Sequence, residues 1–212
     1  MNVYIPYKKT PSAELYWSIK SLKNIKHDKI IVIGDTPDFE LDIQVINNIS
    51  KPQWALYSPY NDVINKLRIV AELEPNDFIF SNDDIFILKK WTPEVYQQGT
   101  IQKHIDSRKA DSYILGLQKT LDYLNLQGLP TLDYELHTPF IFNPEKLKAT
   151  IKELEPILAN GVSLMIRTIY GNKYHQDAKY HEDVKNKKRD DIISTDESTF
   201  LTDLGEYIRD KI

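Results

Sequence analysis

The stretch FIFSNDDIFILKK, Phe78 to Lys90, sets two adjacent carboxylates, Asp83 and Asp84, between apolar runs of strand character. Neighbouring negative charges repel, and burying either one without a cation or donors costs several kcal/mol, on the order of a domain's whole stability margin. Something positive is therefore expected beside them. Hard oxygen ligands suit Mg²⁺ or Mn²⁺, ions that bridge two phosphates and neutralise a departing diphosphate. The competing reading is a solvated turn of a hairpin, since Asn-Asp is good turn chemistry. The flanking runs are, however, more apolar than a surface hairpin requires.

Other side chains fit the same chemistry. In YELHTPFIFNP (134–144), His137 stands between Glu135 and a proline-led apolar strand. It is either a third metal ligand or the base that deprotonates an acceptor hydroxyl; alternatively Glu135 is that base and His137 holds metal or substrate. Lys66 and Arg68 lie on the helix expected before the acidic strand, where a cation meets phosphate, Arg bidentately. His175 and His181 are six apart in a polar segment, lack the i, i+4 spacing of a zinc pair and read as solvated. Lys185, Lys187, Lys188 and Arg189 form the densest basic cluster, which reads as a solvated loop or, alternatively, as a hint of a polyanionic acceptor.

These residues need elements to place them. NVYIPY (2–7) reads as a strand, and Thr10 with Pro11 offers an N-cap and first helical position before Leu15, Ile19 and Leu22 at helical spacing. KIIVIG (29–34) is a continuous β-branched run, as a parallel strand buried on both faces would be. DIQVI (42–46) adds a short strand, Asn61 caps a helix carrying Ile64, Leu67 and Leu73, and Pro75-Asn76-Asp77 turns the chain into FIFS. Downstream the pattern is more helical: 107–124, 144–158 and 161–170, with PFIF as a strand between. Residues 171–198 are almost wholly polar and read as a loop, disordered or a lid that excludes water. STFLTDLGEYIRDKI closes the chain as an amphipathic helix. The alternation gives an α/β class: an open, mostly parallel sheet flanked by helices, with a more helical C-terminal part.

The 212 residues, 41% apolar and 11% aromatic, are enough for one domain with a substantial core. A nucleotide-binding half (1–90) and an acceptor-side half (91–212) divide it. Net charge is −4 and the 27 basic residues are scattered, which argues against a nucleic-acid-binding stripe. The absence of cysteine removes disulfides, thiolate catalysis and Cys-based zinc sites. No secretory signal pattern and no long apolar run is present, so a cytoplasmic protein without an integral membrane segment is expected. In an open α/β sheet ligands collect outside the carboxyl ends of strands. Pro6-Tyr7, Gly34-Asp35 and Asn82-Asp83-Asp84 each fall at such an end.

The order strand, helix, IVIGD and then an apolar strand ending in NDD resembles the GT-A class of nucleotide-sugar glycosyltransferases, whose acidic strand-end motif, commonly DxD, binds metal and sugar nucleotide. ELYWSIKSL, FIFSNDDIFIL, YELHTPFIFN and YGN with the later DVK are similar to glycosyltransferases of phages and their bacterial hosts. The NDD and later His are also similar to stealth-type capsule enzymes that transfer sugar phosphates. Asn82 takes the first acidic place of the DxD pattern. The resemblance implies Asp83 and Asp84 as metal and diphosphate residues and Tyr7 and Asp35 near base and ribose. It also implies that Asp183 and Lys185 of DVK reach diphosphate or acceptor. It implies a nucleotide-diphosphate sugar donor, a Mn²⁺ or Mg²⁺ cofactor, and a hydroxyl acceptor such as a glycan or a modified DNA base, in the host cytoplasm if the chain is phage-encoded. The alternatives are a sugar-phosphate transferase, which cuts the donor's pyrophosphate, and a non-catalytic nucleotide- or glycan-binding module.

Overall fold

The computed structural model describes residues 1–47 and 49–212. Its strands are β1 (Val3–Tyr7), β2 (Ile30–Gly34), β3 (Gln44–Ile46), β4 (Phe78–Phe80), β5 (Ile85–Ile87), β6 (Tyr96–Gln97), β7 (Phe140–Phe142), β8 (Lys179–Tyr180) and β9 (Ile192–Ser194). The helices are α1 (Glu14–Ser21), α2 (Pro59–Leu73), α3 (Ile101–Asp106), α4 (Ser112–Leu126), α5 (Pro144–Leu158), α6 (Ile166–Tyr174), α7 (Glu197–Phe200) and α8 (Asp203–Lys211).

The central sheet runs β3-β2-β1-β4-β7, with the first four strands parallel and β7 antiparallel to β4. Alternate residues of each strand feed opposite cores. Val3 and Ile5 of β1 and Val32 of β2 pack with Leu15, Ile19 and Leu22, while Tyr4, Ile31 and Ile33 join Ile64, Leu67 and Val70 of α2 and Leu147 and Ile151 of α5. Both faces are covered, which is why these strands are apolar throughout. Phe86, Leu88, Ile193, Phe200 and Ile208 make a third cluster under α7 and α8. Among the described residues no helix is long and apolar enough to cross a membrane.

Several local expectations are corrected. Helix α1 starts at Glu14, not beside Thr10, because the Thr10 hydroxyl accepts from Ser12 N (3.3 Å) in a local turn. Ser58, not Asn61, caps α2, accepting from Asn61 N at 3.1 Å. Asn61 is instead buried within the helix and donates to the carbonyls of Trp54 and Val162, and Leu73 is exposed. The helix expected near 107–124 is α4, which starts later, at Ser112, where Asp111 caps it, and runs to Leu126. The helix expected from 161 begins at Ile166, after Gly161 takes a positive φ of 79°. The largest correction concerns 171–198. Its polar composition hides the end of α6, the short β8 and β9, and Val184 and Ile192 to Thr195 are buried. Three apolar or hydroxyl residues facing a partner strand suffice to fix a segment that lacks any longer periodicity. The closing helix, too, is two: α7 and α8.

Candidate functional site

The chain leaves β1 through α1 to β2 and β3, then returns across the sheet through α2 to β4 on the other side of β1. That makes the gap between the carboxyl ends of β1 and β4 the sheet's topological switch point, the place where ligands of open α/β sheets bind. A cleft of about 600 Å³ opens there, with Pro6 and Lys8 at the exit of β1, Asn82 and Asp83 at the exit of β4, and Asp62 and Lys66 on α2. A neighbouring cleft of about 290 Å³, lined by Tyr7, Gly34 and Asp35, shares Lys8, Asp62 and Lys66 with it.

Lys66 forms the floor common to both. Buried on α2, it donates to the Tyr7 carbonyl (3.2 Å) and pairs with Asp62 (3.1 Å), which leaves one of its three N–H donors uncommitted. Gly34, at φ 130°, makes room for this arrangement: a β-carbon there would overlap the Tyr7 carbonyl and crowd the lysine tip. Burial alone would raise the Asp62 carboxyl, but the Lys51 and Lys66 ammoniums hold it below its usual range. Tyr7 is nearly fully buried, its ring in the core beside Leu15, and Asp35 accepts from Lys9 N at 2.8 Å. Arg68 lies elsewhere. Two residues along a helix do not share a face, and its guanidinium bonds Asn65 and Glu72 outside both clefts.

The acidic triplet is not a hairpin turn. β4 pairs with β1 and β7, whereas β5 pairs with β9, so Asn82, Asp83 and Asp84 pass between two sheets. The two carboxylates meet different fates. Asp84 is answered by Lys185, whose ammonium reaches Oδ2 at 2.6 Å and also donates to the Thr195 carbonyl. Asp84 Oδ1 is buried without a partner. Asp83 has no ion pair among the described residues, and burial, with the charge of Asp84 added, raises its carboxyl to about 7. Glu14, buried at the start of α1, completes the acidic group. It accepts from the Thr195 hydroxyl (2.6 Å), and burial followed by the Asp84 charge pushes its carboxyl up.

A third cleft, about 330 Å³, shares Asn82 and Val63 with the first and is walled by Tyr60, Phe80, Tyr113 and Met165. Glu135, His137 and Arg167 supply its charge. Aspartate 183 clamps His137 twice, accepting from its backbone N–H (2.9 Å) and facing its Nδ1 at 3.0 Å. Burial opposes ionisation of Asp183, yet the His137 hydrogen bond and charge prevail and hold it at about 2. The ionised carboxylate only accepts, so Nδ1 carries the proton and Nε2 is free to take one. Glu135 accepts from Thr168 N (3.1 Å), and burial raises its carboxyl against the opposing Arg167 charge. Arg167 is buried and bonds only neutral acceptors, the Leu136 and Thr138 carbonyls and Asn82 Oδ1 at 2.8 Å. That contact gives Asn82 its place in the triplet.

No protein-family model matches the sequence, and comparison with curated proteins found no match. The geometry alone therefore weighs the expected roles. It brings Tyr7, Asp35, Lys66 and Asp83 to adjoining clefts, joins Asp84 to Lys185, and sets Glu135 with His137 in a third cleft. Among the described residues no three His, Asp or Glu side chains converge as a metal-binding set, and His137 is engaged with Asp183 rather than with the acidic pair. Asp83, a half-buried carboxylate with no cation beside it among the described residues, and the orphaned Asp84 Oδ1 are nonetheless donors that a divalent ion would satisfy.

His175 and His181 are half-buried, each with one side against a ring: His175 lies 5.7 Å from the Tyr170 ring and His181 4.9 Å from Tyr96. The basic cluster is dispersed, with Lys188 over the Tyr207 ring and Arg189 on Asp191. Glu14 and Arg167 were not singled out by the sequence. A lone arginine within the otherwise apolar run LMIRTIY was the available signal for the second, since a charge on a buried face needs a purpose.

Proposed function

We propose that this chain is a metal-dependent, GT-A-like glycosyltransferase that moves a sugar from a nucleotide diphosphate to a hydroxyl. The observation that carries the proposal is Asp83, a half-buried carboxylate at the mouth of the β1–β4 crevice with no ion pair among the described residues. A carboxylate held at about 7 beside a second negative charge gains from a cation, and the open cleft gives one access to it. The nucleotide lies across the two clefts floored by Lys66, whose free N–H and positive charge meet its phosphates. Asp83, with Asp84 Oδ1, would hold Mg²⁺ or Mn²⁺, which neutralises charge on the diphosphate.

The sugar then reaches the third cleft through the shared wall at Asn82. There His137 Nε2 takes the proton of the acceptor hydroxyl as its oxygen bonds the sugar's anomeric carbon and the bond to the diphosphate breaks. Asp183 fixes the imidazole tautomer and steadies the imidazolium. Glu135 accepts a hydrogen bond from the acceptor and keeps it oriented, while Tyr60 and Tyr113 shelter the centre from water.

Thermal melting of the chain against a panel of nucleotide-diphosphate sugars, with and without Mn²⁺, tests this. At least one donor should raise the midpoint only when Mn²⁺ is present and then release a nucleoside diphosphate. If none does, the proposal fails. Binding without turnover in the presence of varied acceptors would instead favour a binding module, and release of a nucleoside monophosphate a sugar-phosphate transferase.

A further inference from the structure

On the far side of the His137–Asp183 pair a fourth cleft, about 470 Å³, opens between α3 with the turn after it and the 180–187 segment. Its charge is unbalanced. Its lining carries four cations, Lys103, Arg108, Lys185 and Lys187, against two carboxylates, Glu182 and Asp183, and Lys103 and Arg108 form no ion pair among the described residues. The Arg108 guanidinium is braced 5.5 Å over the Tyr113 ring, the same ring that walls the third cleft.

Between these two cations stands His104, and its orientation is fixed from behind. Nδ1 faces Asp133, a fully buried carboxylate that also accepts from Gln98 Nε2 (2.9 Å) and Glu135 N (2.9 Å). Both Asp133 oxygens already accept N–H groups, so a protonated Nδ1 completes the set and leaves Nε2 without a hydrogen bond among the described residues. The His104 ring, mostly buried and 5.5 Å from the Tyr113 ring, is thus held in one orientation at the wall of the cleft. Asp133 also ties this histidine to the backbone of Glu135, and Asp183 lines the cleft while holding His137. Because Asp183 is itself ionised, an anion bound here is held on the α3 side of the cleft, beside Lys103, His104 and Arg108.

We propose that this cleft binds a phosphate group of the acceptor, so that the acceptor is a phosphorylated sugar or polyol. The word acceptor rests on the transferase reading; the anion site stands without it. Lys103 and Arg108 supply charge-assisted hydrogen bonds and His104 Nε2 a third contact. Nucleic acid fits less well, because the basic groups form a concave site rather than a stripe and the chain carries net charge −4.

Calorimetric titration of the full chain, without donor or metal, decides it. Glycerol 3-phosphate should bind, uncharged glycerol should not, and inorganic phosphate should bind more weakly than glycerol 3-phosphate. Because both cations are on the surface, K103E and R108A should keep the wild-type circular dichroism and each weaken glycerol 3-phosphate by at least about tenfold. No binding, or binding that neither variant changes, overturns the site. Inorganic phosphate binding as well as glycerol 3-phosphate, or a single-stranded oligonucleotide binding in preference to both, overturns the assignment to a phosphorylated sugar or polyol. None of these outcomes touches donor binding at the β1–β4 crevice, so failure here and failure of the transferase reading are read separately.

Discussion

Two adjacent aspartates with one cation between them divide the labour. Lys185 neutralises Asp84, and Asp83 is left under both burial and its neighbour's charge. Its carboxyl at about 7 in the fold compares with 3.8 for the free side chain, so the ionised form is the one the fold disfavours. The penalty is absent below about pH 4, grows as pH rises toward 7 and is complete above it, to an order-of-magnitude bound of about 4 kcal/mol. Asp83→Asn should therefore stabilise the metal-free protein at pH 8 by a few kcal/mol, with the gap closing near pH 4 in urea unfolding curves. A difference that does not change with pH would refute the argument. At the same scale, H137A should lower turnover by ~10²–10⁴-fold while donor affinity holds, as loss of a base does and loss of a metal ligand does not. The sequence exposed the acidic pair and the ELHTP histidine because local context made them costly. It hid their partners, since Lys185 is 101 residues from Asp84 and Asp183 46 from His137.

Elements were legible where period and propensity agreed. The apolar run of β2 and the heptad-like spacing of α5 read directly, because each buries a face that recurs along the chain. β9 did not, since three residues carry no period and their surroundings are polar. Yet β9 matters to the site: it pairs with β5 directly after the acidic triplet, and Thr195 beside it holds both Glu14 and Lys185. Ile193 of β9 packs in one cluster with Phe86 and Phe200, whose rings stack 5.2 Å apart and nearly parallel. Phe200→Ala should destabilise the chain by about 3–5 kcal/mol, the range for truncating a buried aromatic. Amide exchange should also show Ile193 and Thr195 losing protection well before Ile5 and Val32 of the central sheet. If 192–195 exchanges no faster than β1 in that variant, the segment is held by something other than this stack. Only the part of 171–198 outside α6 and β9 then remains to move when donor binds.

At the scale of the whole chain, the division at residue 90 marks a difference in chemistry and not a seam in the packing. β7 pairs with β4, β9 with β5, and α5 lies against α2, so every core cluster draws on both halves. The sequence could suggest two halves because the apolar pattern changes there, but pairing across the boundary is set by tertiary register that no local window contains. A fragment of residues 1–90 would leave Phe78 and Phe80 without Phe142 beside them and α2 without α5, and should be unfolded by circular dichroism. The intact chain should unfold in one step. Its three tryptophans are placed to report this, since Trp54 belongs to the first core cluster, Trp91 packs on the second and Trp17 on the third. Fluorescence and far-ultraviolet dichroism should therefore give coincident urea midpoints, as two-state unfolding requires. Separate midpoints, or a folded 1–90 fragment, would mean that the clefts at the β1–β4 crevice stand on a domain of their own, and that the His137 cleft can move against them as a body.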